Sequence, residues 1–302
     1  MPHIWQRLTK PIMVLAPMAD VTDAAFRQII NRYGKPDLLY TEFVSADGLC
    51  SKEGRPKLLR DLYFTPVEHP IVGQIFGGKP ENIFEAAKLI KELGFDGLDI
   101  NMGCPDRGIE KQGGGASLMK HPALAQEIIA AAKQGAGDLP VSIKTRIGYN
   151  AIEIEKWTRA LLEAKPAAII FHLRTRKEMS KVAAHWDEII IPVALAQGSG
   201  TLILGNGDVN DVTEARAKAA QYGLDGVMLG RAIFGNPWLF SLHVPSVEER
   251  LHVMVEHTKL FEELFCGHKS FAIMEKHFKA YIAGFPGANE LRAKLMEANT
   301  SQ

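Results

Sequence analysis

Cysteine, net charge and long apolar runs are what this 302-residue chain has little of. Cys50, Cys104 and Cys266 stand far apart and make neither a metal-ligand spacing nor a disulfide framework. Such usage fits a reducing compartment. Lysine plus arginine number 35 and aspartate plus glutamate 35, so the whole-chain charge argues for no partner. A nucleic-acid ligand would therefore need a local basic face. Met1 to Lys10 carries no apolar signal core, and the run 189–196 is far too short to span a bilayer. A cytoplasmic protein is expected, without a membrane partner and working as a monomer. No sequence repeat recurs along the chain, which excludes a solenoid.

What is present is a succession of short apolar runs. Hydrophobic residues make up 46% of the chain, enough to fill an ordinary core. The pattern predicts buried parallel strands at 11–16, 38–43, 71–75, 98–100, 140–144, 167–171, 201–204 and 226–229. Helical segments lie between them; Thr22-Asp23 caps one through Tyr33, and Pro80 and Pro122 each begin one. Past Phe240 the strand pattern ends, and 247–264, 271–282 and 289–296 have helical periodicity. The expected fold is α/β: a (β/α)8 TIM barrel over residues 1–240, then a small C-terminal helical domain over 241–302.

Polar residues gather where the predicted strands end, which is where such barrels place their chemistry. Cys104 follows strand four in Asn101-Met-Gly-Cys-Pro105, flanked by glycines. A lone cysteine is usually a small buried residue, but this setting favours a functional loop. Gln74 sits inside an apolar strand, where a structural amide and a ligand contact are equally good readings. Lys144 reads equally as a solvent-facing rim lysine or a site cation. His172, with Arg174 and Arg176 just beyond it, is harder to dismiss as structural. After strands seven and eight come Asn206-Gly207-Asp208 and Gly230-Arg231. Paired glycine turns there are the usual phosphate site of a barrel, and Arg231 adds a guanidinium donor. Asp208 would repel a phosphate, so its side chain is expected to point elsewhere.

Asn101-Met-Gly-Cys-Pro105, with Gly113-Gly-Gly-Ala-Ser-Leu118 after it, closely resembles the active-site loop of the tRNA-dihydrouridine synthases. The resemblance runs from Ala16 to about Met296. It implies a flavin enzyme that binds FMN, takes electrons from NADPH and reduces uridines in tRNA. Pro17, Met18 and Ala19 would then lay backbone against the flavin ring. Gln74, Lys144 and His172 would contact the flavin, with Asn206, Gly207, Asp208, Gly230 and Arg231 at its phosphate. Asn101 would hold an edge of the uracil, and Arg174 and Arg176 would reach the RNA. An ordinary thiol, near pKa 8.5, is mostly protonated at neutral pH, so Cys104 suits a proton donor.

The chain departs from the family pattern at Asp20, where glycine is usual, and over 181–184, which lacks an aromatic–glycine pair. In the tail, Lys269, Lys276, His277, Lys279, Phe278 and Tyr281 could form one basic, aromatic face for RNA. The alternative is a solvated helix face with its aromatics in the core. Two other functions stay open: a free-pyrimidine flavoenzyme of the dihydroorotate dehydrogenase type, and a non-enzymatic RNA binder.

Overall fold

The computed structural model describes residues 2–298 and residue 300. Among the described residues, eight parallel strands follow one another: β1 (Ile12–Leu15), β2 (Leu39–Ser45), β3 (Ile71–Phe76), β4 (Gly97–Met102), β5 (Val141–Arg146), β6 (Ala168–His172), β7 (Leu202–Asn206) and β8 (Gly226–Leu229). Their order is β1-β8-β7-β6-β5-β4-β3-β2, and a parallel bridge between Val14 and Leu38 joins the two ends. The sheet therefore closes into the expected barrel.

Around it lie α1 (Ala24–Tyr33), α2 (Pro80–Glu92), α3 (Pro122–Ala136), α4 (Ile154–Glu163), α5 (Ile190–Ala196) and α6 (Val212–Tyr222). The connection after β2 is split into two short helices, Ala46–Cys50 and Arg55–Asp61. After β8 there is only a 3-10 turn, Arg231–Ile233, before the tail helices α7 (Val247–Phe265), α8 (Ile273–Tyr281) and α9 (Ala288–Leu295). Among the described residues, no helix is long and apolar enough to cross a membrane.

Period-two alternation decides what each strand offers the interior. Ile71, Leu98, Ile100, Val141, Ile143 and Ile169 belong to the core beneath the helices. Their neighbours Val72, Ala168, Ile170 and Leu204 belong to a separate interior core, which Ile4 and Trp5 of the N-terminal turn plug from below. By the same parity Gln74, Asp99, Asn101, Ser142, Lys144, His172 and Asn206 face inward. The interior is thus apolar at its floor and polar toward the carboxyl ends. That layering is why polar residues interrupt otherwise apolar strands.

Six strands, β2 to β7, run one or two residues further than the sequence suggests. Expected to stop at Ile100, β4 continues through Asn101 and Met102, and β5 continues past Lys144 to Arg146. Asn101 and Lys144 are therefore cross-strand partners inside the barrel wall.

The tail packs on α1. Phe26 stacks on His257 of α7 at 4.8 Å and meets His277 of α8 edge-on at 4.7 Å. The Tyr33 hydroxyl donates to Glu256 at 2.6 Å. Of the two readings of the tail, the structure shows the aromatics in the core: His277, Phe278 and Tyr281 are buried against the barrel, Lys276 and Lys279 are exposed, and Lys269 is held by Glu42 and Asp61. Apolar surface on α8 goes inward, where its burial stabilises the docking.

Candidate active site

A cavity of about 670 Å³ opens at the carboxyl end of the barrel, between β1 and the ends of β5 to β8. Pro17 and Met18 form one wall, and Asn206 to Asp208 with Gly230 and Arg231 form the other. Lys144, His172 and Arg174 line it from the barrel side. The structure so brings ten of the expected site residues into one cavity. Ala19 is exposed just beyond the Met18 wall, outside the lining.

The wall after β7 needs its glycine. Gly207 has φ +132°, and a Cβ there would come within 2.9 Å of Ala184 and 3.7 Å of the Arg174 guanidinium. The Asn206 side chain donates to the Met228 carbonyl at 2.7 Å, pinning β7 to β8. Asp208 departs from the expectation that it would point away. Its carboxylate bonds both Arg174 and Arg231, and it also accepts the Ala184 N–H at 2.9 Å. The hydrogen bond from Arg174 holds this carboxyl below its usual range. Repulsion of an anion had argued against such a position, but two guanidinium groups reward it.

Lys144 is half-buried, and burial, then the nearby Arg146, push its pKa down to about 8. Asp99 opposes that shift. Burial and the surrounding cations, Lys144 foremost, hold His172 well below its ordinary value, so its imidazole is neutral. Its Nε2 accepts from the Arg174 guanidinium at 3.1 Å, which leaves the ring proton on Nδ1. Counting Lys144, Arg174 and Arg231 against Asp208, the cavity holds three cations and one carboxylate. It is built for an anion.

Cys104 lies outside that lining, in the loop after β4, and is partly buried. Burial raises its thiol above the usual range, with Lys144 and Arg146 close enough to oppose the effect. The thiol is thus protonated at neutral pH. Its loop is fixed by Asn101, whose side-chain oxygen accepts the Gly103 and Cys104 N–H groups at 3.1 and 2.9 Å. The Asn101 nitrogen donates to Gln74, and Gln74 donates to Asp99 at 2.7 Å. Both amides are therefore engaged within the protein. Arg176 does not reach the cavity: it forms a two-pronged pair with Glu110 at 2.9 and 2.5 Å and lies over the Tyr149 ring.

Sequence reasoning passed over Asp99 and gave Arg146 no role. Asp99 is fully buried, and Arg146 is nearly so. Arg146 bonds the Gly103 carbonyl at 2.9 Å and the Thr175 and Met179 carbonyls at 3.1 and 2.9 Å, clamping the Cys104 loop to the loop after β6. Both share strand parity with residues that were singled out, Asn101 and Lys144. Parity was the available signal.

The architecture is that of a (β/α)8 barrel also seen in solved oxidoreductases. Morphinone reductase superposes with TM-score 0.57 at 14% identity, covering 82% of this chain and 91% of that one. Histamine dehydrogenase from Rhizobium sp. 4-9 gives 0.57 at 13% identity, covering 86% and 50%. At such identities the likeness concerns the fold alone.

Sequence goes further. Residues 14–302 match the family model described as dihydrouridine synthase. A protein of Bacillus subtilis named probable tRNA-dihydrouridine synthase 2 is 41% identical over 305 residues, 99% of this chain and 93% of its own length. A probable tRNA-dihydrouridine synthase of Staphylococcus aureus is 40% identical over 304 residues, 99% and 92%. The chain belongs to the dihydrouridine synthase family.

Proposed function

We propose that this protein is an FMN-dependent tRNA-dihydrouridine synthase, reducing the C5=C6 bond of uridines in tRNA with NADPH as reductant. The observation that supports it most is the pairing of an anion-binding cavity with a protonated thiol on the adjacent strand end. The residues fit FMN. Arg174, Arg231 and the Gly207 turn would suit its phosphate, Pro17 and Met18 would offer a wall for a flat ring, and Lys144 would supply a cation beside it. FMN, when bound, supplies the hydride that adds to C6 of the uracil.

Cys104 then delivers its proton to C5, and burial keeps that proton in place until the base arrives. Arg146 and Asn101 hold the loop that carries the thiol. The positive charge of Lys144 favours an electron-rich ring beside it. Uracil inside folded RNA is inaccessible, so the target base must be turned out of its stack into the barrel mouth. On this reading residues 1–240 do the chemistry and 241–302 help grip the RNA. With Lys269 engaged, the exposed Lys259, Lys276, Lys279 and Lys294 are tail cations left to face phosphates.

The direct test incubates the protein with FMN, NADPH and an unmodified tRNA transcript, then digests the RNA for mass spectrometry. Nucleosides heavier by two hydrogens at uridine support the function. Reduction of free uracil or orotate with no change in the transcript would favour a free-pyrimidine enzyme instead.

A further inference from the structure

Asp99 lies in β4 beneath the cavity, has no solvent exposure and lines no part of the opening. Its Oδ1 accepts from the Ser142 hydroxyl at 2.7 Å and its Oδ2 from Gln74 Nε2 at 2.7 Å. Gln74 Oε1 accepts from Asn101 Nδ2 at 3.2 Å, and Asn101 Oδ1 accepts the Gly103 and Cys104 N–H groups. A carboxylate stands at one end and two backbone donors at the other. Only amides lie between.

The ends of this chain leave no freedom in the middle. Backbone N–H groups can only donate, so Asn101 must turn its oxygen to the loop and its nitrogen to Gln74. Gln74 must then turn its oxygen to Asn101 and its nitrogen toward residue 99. A group there must accept, and an ionised carboxylate does nothing else. Burial raises Asp99 to about 6, so it is ionised at neutral pH. Were the polarity reversed, a donor would face a donor in a site that water does not reach, at the cost of a buried unpaired group.

We propose that Asp99 is a positioning residue: through the polarity of Gln74 and Asn101 it fixes the backbone that carries the Cys104 thiol. Cross-strand register supports this, since Gln74 pairs with Asp99 across β3 and β4, and both elements are rigid wall. The Ser142 contact is a side branch and carries no polarity to the loop.

Hydrogen exchange at the Gly103 and Cys104 amides tests the idea, with β7 amides as internal reference. Asp99→Leu keeps the side-chain shape but gives Gln74 no acceptor; those two amides should exchange about 10-fold faster or more relative to β7. Ser142→Ala, which leaves the amide chain intact, should exchange as the wild type does. The double variant Asp99→Asn/Gln74→Glu puts a donor at 99 and an acceptor-only group at 74, so it restores the polarity and should also match the wild type. Wild-type exchange in Asp99→Leu overturns the proposal, as does Ser142→Ala loosening equally or the double variant staying fast. Should Asp99→Leu fail to fold, Asp99→Ala, which also removes the acceptor, takes its place with the same expectation.

The consequence for catalysis rests on the function proposed above. If it holds, Asp99→Leu slows uridine reduction about 10-fold or more, whereas Ser142→Ala does not. Wild-type protein inactive on tRNA would sink that function and leave the exchange result standing. Unchanged exchange with an active wild type would sink the Asp99 role alone.

Discussion

Lys269, from the turn between α7 and α8, places its ammonium 2.6 Å from the Glu42 carboxylate at the carboxyl-terminal part of β2. The other Glu42 oxygen accepts the Asp20 N–H at 2.6 Å, directly after the Pro17–Ala19 corner. One carboxylate thus joins the helical tail to the corner beside the cavity. Burial alone would lower the lysine, but Glu42 and Asp61 more than offset it and hold it above its usual value.

Removing that cation should be costly. Lys269→Met leaves Glu42 buried beside Asp61 without a counter-charge, and should destabilise the protein by ~3–5 kcal/mol in urea unfolding. Adding Glu42→Gln should recover most of the loss. A small effect of the single change would mean that the tail docks without this pair.

His257 and His277 lie 4.6 Å apart under the tail, fully buried, with no hydrogen-bond partner on any ring nitrogen among the described residues. Burial holds His277 down at about 3 and His257 well below its ordinary 6.5. Both therefore stay neutral when folded, whereas the unfolded chain takes up their protons below about pH 6.5. Stability must fall as pH falls through that window, by ~4 kcal/mol for the pair between pH 7 and 5. Urea melts at both pH values should show His277→Phe losing about half of that drop.

Lys144 sets a second pH window, in binding. Its ammonium is charged below about pH 8 and neutral above, well before an ordinary lysine near 10.5. FMN affinity for the free protein should therefore weaken above pH 8, approaching about 10-fold per pH unit for a one-proton linkage. Fluorescence titrations of Lys144→Met should show weaker binding with that dependence gone.

Asp208 and Arg231 make opposite predictions at the phosphate turn. Arg231→Ala should weaken FMN by ~1.5 kcal/mol, the low end for a charged hydrogen bond because this side chain is 63% exposed. Asp208→Asn should tighten binding, since the carboxylate now engages both guanidinium groups that the phosphate would use. Weaker binding in Asp208→Asn would mean that the carboxylate's orienting role prevails over its competition.

The strands were legible because apolar runs and turn residues repeat at barrel spacing, and β8 matches at both ends. Cys104 and the glycine turns were legible because their residue types are unusual at strand ends. Asp99 was not, because a single aspartate inside an apolar run reads as an interruption until strand parity aims it inward. The tail left two readings open. Lys269 and Tyr281 look alike in sequence whether they face RNA or the barrel, and only packing on α1 decides that they face the barrel.

The central claim is that the thiol in the loop after β4 and the anion cavity act together on a base in tRNA. The protein is loaded with FMN, bleached with one equivalent of NADPH without oxygen, and mixed with unmodified tRNA while flavin absorbance is followed. Recovery of the oxidised spectrum with tRNA, slowed ~10²–10⁴-fold in Cys104→Ala although that variant binds FMN normally, is the expected result. A spectrum that stays bleached with tRNA, or a Cys104→Ala variant that recovers at the wild-type rate, would contradict it.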